Sequence, residues 1–294
     1  MHAVASNQAL TLVDVWVSSP RRLEGVSLAL VPGEVAGVVG PSGAGKSSLL
    51  DVAAGILTPL RGSALVCGVP AGSRPARHLV GYAGRRAAFP AALTVRETLT
   101  SLARLHGGPR QTAMVERALE LTGAETLADV RAGRLVVADR RRIALTQAVL
   151  GGRRVVVLDE LLSGLDPVAR RDLRHPLARV AAEGVAVLIA ATDPSALEGL
   201  VARVFVLREG RIVRAGVLSG LLRDRILEVI LDRPPAEPPP GFRITASGVE
   251  TPLTGRTPEA ALALCRAHRL AVRATRVRLK SLEEVVLDAH DGAR

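Results

Sequence analysis

Aromatic residues make up only 2% of this 294-residue chain, and cysteines number two. So few rings leave no stacking platform for single-stranded nucleic acid. They also force the core to be built from Val, Leu, Ala and Ile, which suits buried parallel strands and long helices better than a sandwich. Cys67 and Cys265 stand far apart with neither a pairing nor a metal-ligand spacing, which excludes a disulfide framework and predicts two buried free thiols in a reducing compartment. No apolar run is long enough to span a bilayer, since stretches such as VAVLIAAT are far too short. The opening MHAVASNQAL lacks the basic-then-apolar order of a secretion signal. A cytoplasmic chain is expected, with any membrane role exercised through partners. Lysine is nearly missing too: Lys46 and Lys280 are the only two among 39 basic residues. The net charge of +11 is therefore mostly arginine, scattered along the chain as a solvated surface. No nucleic-acid partner is expected, whereas an anionic membrane surface or an acidic partner suits the charge.

What is present is a hydrophobic share of 48%, enough for one large α/β domain and a small second one. Strand-like runs at 11–17, 26–31 and 33–40 precede a helical stretch from Gly45 to about Leu57. From about 90 to 150 apolar residues recur at three- and four-residue intervals, which predicts a helical insert. The α/β rhythm resumes with RVVVLD (154–159), a helix from about Pro167 to Ala182, a strand at 185–191 and RVFVLREGRIV (203–213). Continuous apolar strands between helices predict a mostly parallel sheet covered on both faces. Near residue 234 the stretch PPAEPPPG reads as a stiff linker. The expected division is a main domain over 1–225 and, over 226–294, a linker with a small α+β lobe of βαβα-like pattern.

The sharpest chemistry is GPSGAGKSS: Gly40, Pro41, Ser42, Gly43, Ala44, Gly45, Lys46, Ser47 and Ser48. It fills G-x-x-x-x-G-K-[ST] between a buried strand and a helix, which is the pattern of a phosphate-binding loop. The glycines let backbone N–H groups wrap phosphates and the helix N-terminus adds its positive end. Lys46 is expected at the β- and γ-phosphates and Ser47 on Mg²⁺. Asp159 ends the strand VVVLDE, where parallel sheets place ligand-binding residues, and is a second Mg²⁺ ligand candidate. Glu160 beside it is a candidate to align or deprotonate an attacking water.

Together with SGLDP (Ser163, Gly164, Leu165, Asp166 and Pro167), these segments resemble the nucleotide-binding domain of ABC transporters over roughly residues 10–225. The resemblance implies a P-loop NTPase fold of the α/β class with a helical subdomain at about 90–150, opened by LTVRETL at 93–99. It implies ATP and Mg²⁺ as cofactors, Trp16 as the aromatic on adenine, and Ser163 to Asp166 as a loop crossing to a second nucleotide-binding domain. The C-terminal lobe, ending SLEEVVLDAH, resembles the tail of the type-2 drug and lipid export ATPases.

The family pattern also exposes what this chain lacks. Where the signature LSGGQ belongs, Leu135 to Asp139 read LVVAD. Val136 offers no hydroxyl to a phosphate, Val137 and Ala138 replace glycines that permit close backbone approach, and Asp139 adds a negative charge. Asp139 is expected to cap the following helix by accepting from the N–H of Arg141 or Arg142. Arg85 stands where the family has a glutamine that touches Mg²⁺, and Thr192 where it has a switch histidine, whose charge threonine cannot carry. The resulting expectation is an ABC-type ATPase subunit that binds MgATP with impaired hydrolysis. It would sit on the inner face of the cell membrane, coupled to a separate membrane subunit, in an exporter. Its partner domain is a copy of itself or, as the lost signature favours, a different chain with an intact one. The alternative is a non-hydrolysing structural or sensing subunit.

Overall fold

The computed structural model describes residues 7–18, 22–85, 88–105 and 110–291. The chain forms two compact units that divide between Gly216 and Val217.

In the first unit, β1 (Leu10–Val17) and β2 (Leu23–Leu30) lead to β3 (Val35–Val39), a VAGVV run buried throughout. There follow α1 (Lys46–Ala53), β4 (Arg61–Val66), β5 (Val69–Pro70), α2 (Arg74–Leu79) and β6 (Val80–Ala83). The helical insert is α3 (Val95–Leu105), α4 (Gln111–Thr122) and α5 (Val137–Val149). The sheet resumes with β7 (Val155–Asp159), α6 (Pro167–Ala182), β8 (Ala186–Ala191), β9 (Arg203–Arg208) and β10 (Arg211–Val217).

These strands make two sheets. One has the order β2-β1-β4-β5 with antiparallel pairing; the other has the order β10-β9-β3-β8-β7-β6, with β9, β3, β8, β7 and β6 parallel. A single apolar cluster takes in Leu10 and Leu28 of the first sheet, Val38, Val157 and Leu188 of the second, and Leu49 and Leu50 of α1. Leu49 and Leu50 are both fully buried, and each such side chain contributes about 2 kcal/mol of hydrophobic stabilisation.

Local chemistry starts and places the insert's helices. Thr94 and Glu97 cap α3 reciprocally: the Thr94 N–H donates to Glu97 Oε2 (2.7 Å) and the Glu97 N–H to Thr94 Oγ1 (3.1 Å). Buried Thr122 of α4 and Thr146 of α5 share a hydrogen bond of 2.7 Å. Gly81 of β6 lets α5 lie directly on the strand, because a Cβ there would fall 1.6 Å from the Ala148 carbonyl oxygen. At its other end α5 starts earlier than the sequence suggests. Val136 is the N-cap, with no side-chain hydrogen bond, and Asp139 lies inside the first turn rather than capping it. There its carboxylate can only complement the positive helix end.

The second unit opens with α7 (Leu218–Leu221) and β11 (Arg225–Leu231), then β12 (Arg243–Thr245), β13 (Gly248–Pro252), α8 (Pro258–Ala267), β14 (Val272–Leu279) and α9 (Leu282–Asp291). Its antiparallel sheet has the order β12-β13-β11-β14. Ala261 and Cys265 of α8 pack on Leu227, Val229 and Leu231 of β11. The proline-rich stretch joins β11 to β12 inside this unit, because β11 is the strand with which both β13 and β14 pair. Arg278 of β14 gathers the carboxylates of Glu228, Glu250 and Glu284. Of the two thiols expected to be buried, Cys265 is; Cys67 is exposed, since it occupies the tight turn between β4 and β5 with a left-handed φ of 47°.

Candidate functional site

Strand order decides which residues meet. Reading across the parallel sheet from β3 through β8 and β7 to β6, the carboxyl ends deliver the phosphate loop, Thr192, Asp159 with Glu160, and Arg85 in succession. The registers Val39↔Ala191, Asp159↔Ala190 and Ala83↔Leu158 bring those ends level. This is the edge at which open α/β sheets bind ligands.

Ser42, Gly43, Gly45, Lys46, Ser47, Ser48, Arg85, Glu160 and Thr192 line one cavity of ≈350 Å³. The loop's shape needs its glycines: Gly45 has φ 103°, and a Cβ on Gly40 would lie 2.1 Å from the Leu207 carbonyl oxygen. Lys46 is buried, and its Nζ donates to Gly40 O (2.7 Å), Pro41 O (3.1 Å) and Thr192 Oγ1 (3.0 Å), with Glu160 Oε1 at 3.8 Å. Burial pulls the Lys46 ammonium below its ordinary pKa, against the opposing charges of Glu160 and Asp159.

Asp159 and Glu160 are both buried but differently held. Asp159 Oδ2 accepts from the Ser47 hydroxyl (2.8 Å), while its buried Oδ1 has no partner among the described residues. Burial pushes the Asp159 carboxyl up, outweighing the Ser47 hydrogen bond. An orphaned, buried carboxylate oxygen beside a serine hydroxyl fits Mg²⁺, which takes few protein ligands and completes its octahedron with water and phosphate. Ser47 and Asp159 are the residues that would hold it. Glu160 has a left-handed φ of 56° and accepts from the Ser163 hydroxyl on Oε2 and the Thr192 hydroxyl on Oε1. Burial alone would raise its pKa; these hydrogen bonds and the Lys46 charge outweigh it and leave Glu160 below the ordinary carboxylate value. A carboxylate kept ionised next to a phosphate loop can orient a water and accept its proton.

Other residues singled out in the sequence lie outside this cavity's lining. The half-buried Trp16 donates its indole N–H to Asp14 Oδ1 (2.7 Å), and Arg61 lies 5.9 Å over its ring. Asp166 caps its own helix, accepting from the N–H groups of Val168 and Ala169 at 2.9 Å each. Leu165 is buried and Gly164 takes φ 76°. In LVVAD, Leu135 is buried, whereas Val136 and Val137 are 63% and 55% exposed at the start of α5.

The cavity also has residues that no motif announced: Arg22, Glu209 and Gly210. The turn at Glu209 and Gly210 braces the phosphate loop, with the Gly210 N–H donating to Ala44 O at 2.9 Å and the Glu24 N–H to Gly210 O at 2.8 Å. REG reads locally as a hairpin turn; only the pairing of β9 with β3 brings it to the loop.

A phosphate loop on β3, a carboxylate pair ending β7 and a helical insert between them define an ATP-binding cassette of the P-loop class. A family model described as ABC transporter matches residues 23–163. The Nod factor export ATP-binding protein I of Burkholderia thailandensis is 35% identical over 208 residues, covering 69% of this chain and 68% of that protein. Its counterpart from Bradyrhizobium diazoefficiens is 33% identical over 227 residues, covering 75% and 74%. Among solved structures, cbiO1 from Clostridium perfringens, part of the ABC transporter complex cbiONQ, superposes with a TM-score of 0.67 at 26% identity, covering 73% of this chain and 90% of that one. An ATP-binding cassette of an ABC transporter in its ADP conformation shares the fold, with a TM-score of 0.65 at 20% identity over 71% of this chain and 91% of that one. The chain belongs to the ATP-binding subunits of ABC transporters, a class of ATPases. Subunits of this class pair with one another and with a membrane subunit. No helix among the described residues is long and apolar enough to cross a membrane.

Proposed function

We propose that this chain binds MgATP in the cavity above β3 and β7 and forms one half of an asymmetric pair with a nucleotide-binding domain whose signature is intact. Lys46 and the loop N–H groups hold the phosphates, Ser47 and Asp159 hold Mg²⁺, and Glu160 aligns the attacking water. Mg²⁺, when bound, neutralises charge on the phosphates. Trp16 takes the adenine, and Ser163 to Asp166 face the partner domain. Hydrolysis is impaired: LVVAD gives the partner's nucleotide no serine hydroxyl, and Thr192 replaces the switch histidine. The observation that carries this reading is the orphaned Asp159 Oδ1 beside the cavity lined by Lys46 and Ser47, in a chain whose α5 begins on exposed valines. The export direction is taken from the Nod factor export relatives. A separate membrane subunit holds the assembly on the inner face of the cell membrane, and the second unit is an accessory domain. A steady-state ATPase assay of the purified chain tests it, with Lys46→Ala as control: slow turnover abolished by the substitution is expected.

A second reading, an ATP-binding structural or sensing subunit without turnover, is favoured by one observation: hydroxyl groups occupy both Glu160 oxygens. Tight MgATP binding with no turnover, even in the assembled transporter, would decide for it.

A further inference from the structure

Arg85 is the cavity residue that the family pattern does not explain. It follows β6 by two positions and lines the same cavity as Lys46, Ser47 and Glu160. Among the described residues its guanidinium has no hydrogen-bond or ion-pair partner, although two buried carboxylates lie in the same site. Its charge is felt at both Lys46 and Asp159. Its backbone is held: Arg141 of α5 donates to the Arg85 carbonyl and to the Ser163 carbonyl, each at 3.2 Å. One side chain thus ties the segment after β6 to the segment carrying the Ser163 hydroxyl that engages Glu160.

A glutamine at this position offers a neutral amide oxygen, which a metal ion or its water can use. An arginine offers donors only, in a rigid fork with a permanent positive charge, and cannot ligate a cation. Its fitting ligand is a phosphate oxygen, which planar guanidinium groups bind through paired charge-assisted hydrogen bonds. The lining carries Arg22, Lys46 and Arg85 against Glu160 and Glu209, with the Asp159 carboxylate beside Ser47, so that without Arg85 the acidic groups of the site would outnumber its cations.

We propose that Arg85 is a direct ligand of the nucleotide's terminal phosphates and takes over part of the charge neutralisation that Mg²⁺ supplies, so that this cavity holds ATP with only a weak requirement for the metal. The proposal rests on the MgATP reading above and adds a residue to it.

The test is ATP binding to the full chain by calorimetry, with Mg²⁺ present and with excess EDTA, for wild type, Arg85→Gln, Arg85→Lys and Lys46→Ala. Chelation is expected to weaken wild-type binding only slightly, and to weaken Arg85→Gln by a further factor of about ten to a hundred, the range for a hydrogen bond to a charged group. Arg85→Lys, which keeps the charge, restores part of the loss. A residue that only supports the fold would lower thermal stability without altering metal dependence, so melting curves accompany each titration. Equal losses on chelation in wild type and Arg85→Gln overturn the proposal and leave the MgATP reading standing. If wild type binds no ATP even with Mg²⁺, or Lys46→Ala binds as well as wild type, that reading falls and this one with it.

Discussion

The hydroxyl of Thr192 stands between Lys46 and Glu160: it accepts from the Lys46 ammonium at 3.0 Å and donates its own proton to Glu160 Oε1. One neutral group thereby links the phosphate-binding cation to the carboxylate that would handle the attacking water. It does so from the end of β8, where the resemblance to the family predicts a switch histidine.

Thr192→Val keeps the shape and removes that donor. Glu160 then loses one of the interactions that hold its pKa below the ordinary value, while burial continues to push it up. The acid limb of the ATPase pH profile is expected to move to higher pH in Thr192→Val. A limb that does not move would mean that Glu160 ionisation does not limit turnover.

Asp159→Asn separates metal binding from stability. Because burial raises the Asp159 pKa, its contribution to stability is greatest when protonated and is lost as pH rises from the unfolded carboxylate value through the raised folded one. The nucleotide-free variant is therefore expected to melt higher than wild type at neutral pH. The extra stabilisation that MgATP gives wild type over ATP in EDTA, small because Arg85 shares the neutralisation, is expected to vanish in the variant. Thermal melts with and without MgATP check both.

Replacing Val136, Val137, Ala138 and Asp139 by Ser, Gly, Gly and Gln is expected to raise the ATPase rate of the assembled transporter by about tenfold or more, since one well-placed donor to a transition-state oxygen is worth that much. An unchanged rate would mean that the site opposite never depended on this segment.

In the second unit, Arg278 holds the Glu284 carboxyl down at about 2, well below the ordinary glutamate value of 4.5. That stabilisation is present above the unfolded carboxylate value and is lost as pH falls from about 4.5 towards 2. Arg278→Ala, which leaves Glu228, Glu250 and Glu284 clustered without their cation, is expected to destabilise this unit by about 2 kcal/mol and to raise the midpoint of its acid unfolding. Hydrogen exchange of β11 and β14 against pH measures it.

The grouping of Lys46, Ser47, Asp159 and Glu160 was readable because each lies in a local pattern: glycines at fixed spacing, or charge ending an apolar strand. The carboxyl-end rule for parallel sheets then joins the two segments. Arg22 and Gly210 were not readable, since sheet order rather than any motif brings them to the loop. The cap assigned to Asp139 failed for a different reason. Helix α5 tolerates an uncapped valine at its start, and the propensity of aspartate for N-caps pointed three residues too far along. The expected division at 225/226 falls nine residues beyond the one between Gly216 and Val217, and the linker read there holds β11, a strand that pairs antiparallel with β13 and β14.

Gly81 and Ala148 fix α5 against β6 near the C-terminal end of that helix, well away from LVVAD. What anchors the helix and what its tip presents are therefore written in separate parts of the chain. The tip can be rewritten from one chemistry to another without loosening the anchor, so a folded, well-packed cassette is no guarantee of a competent one. For the same reason, replacing a few exposed residues at the tip could change the function of a whole assembly.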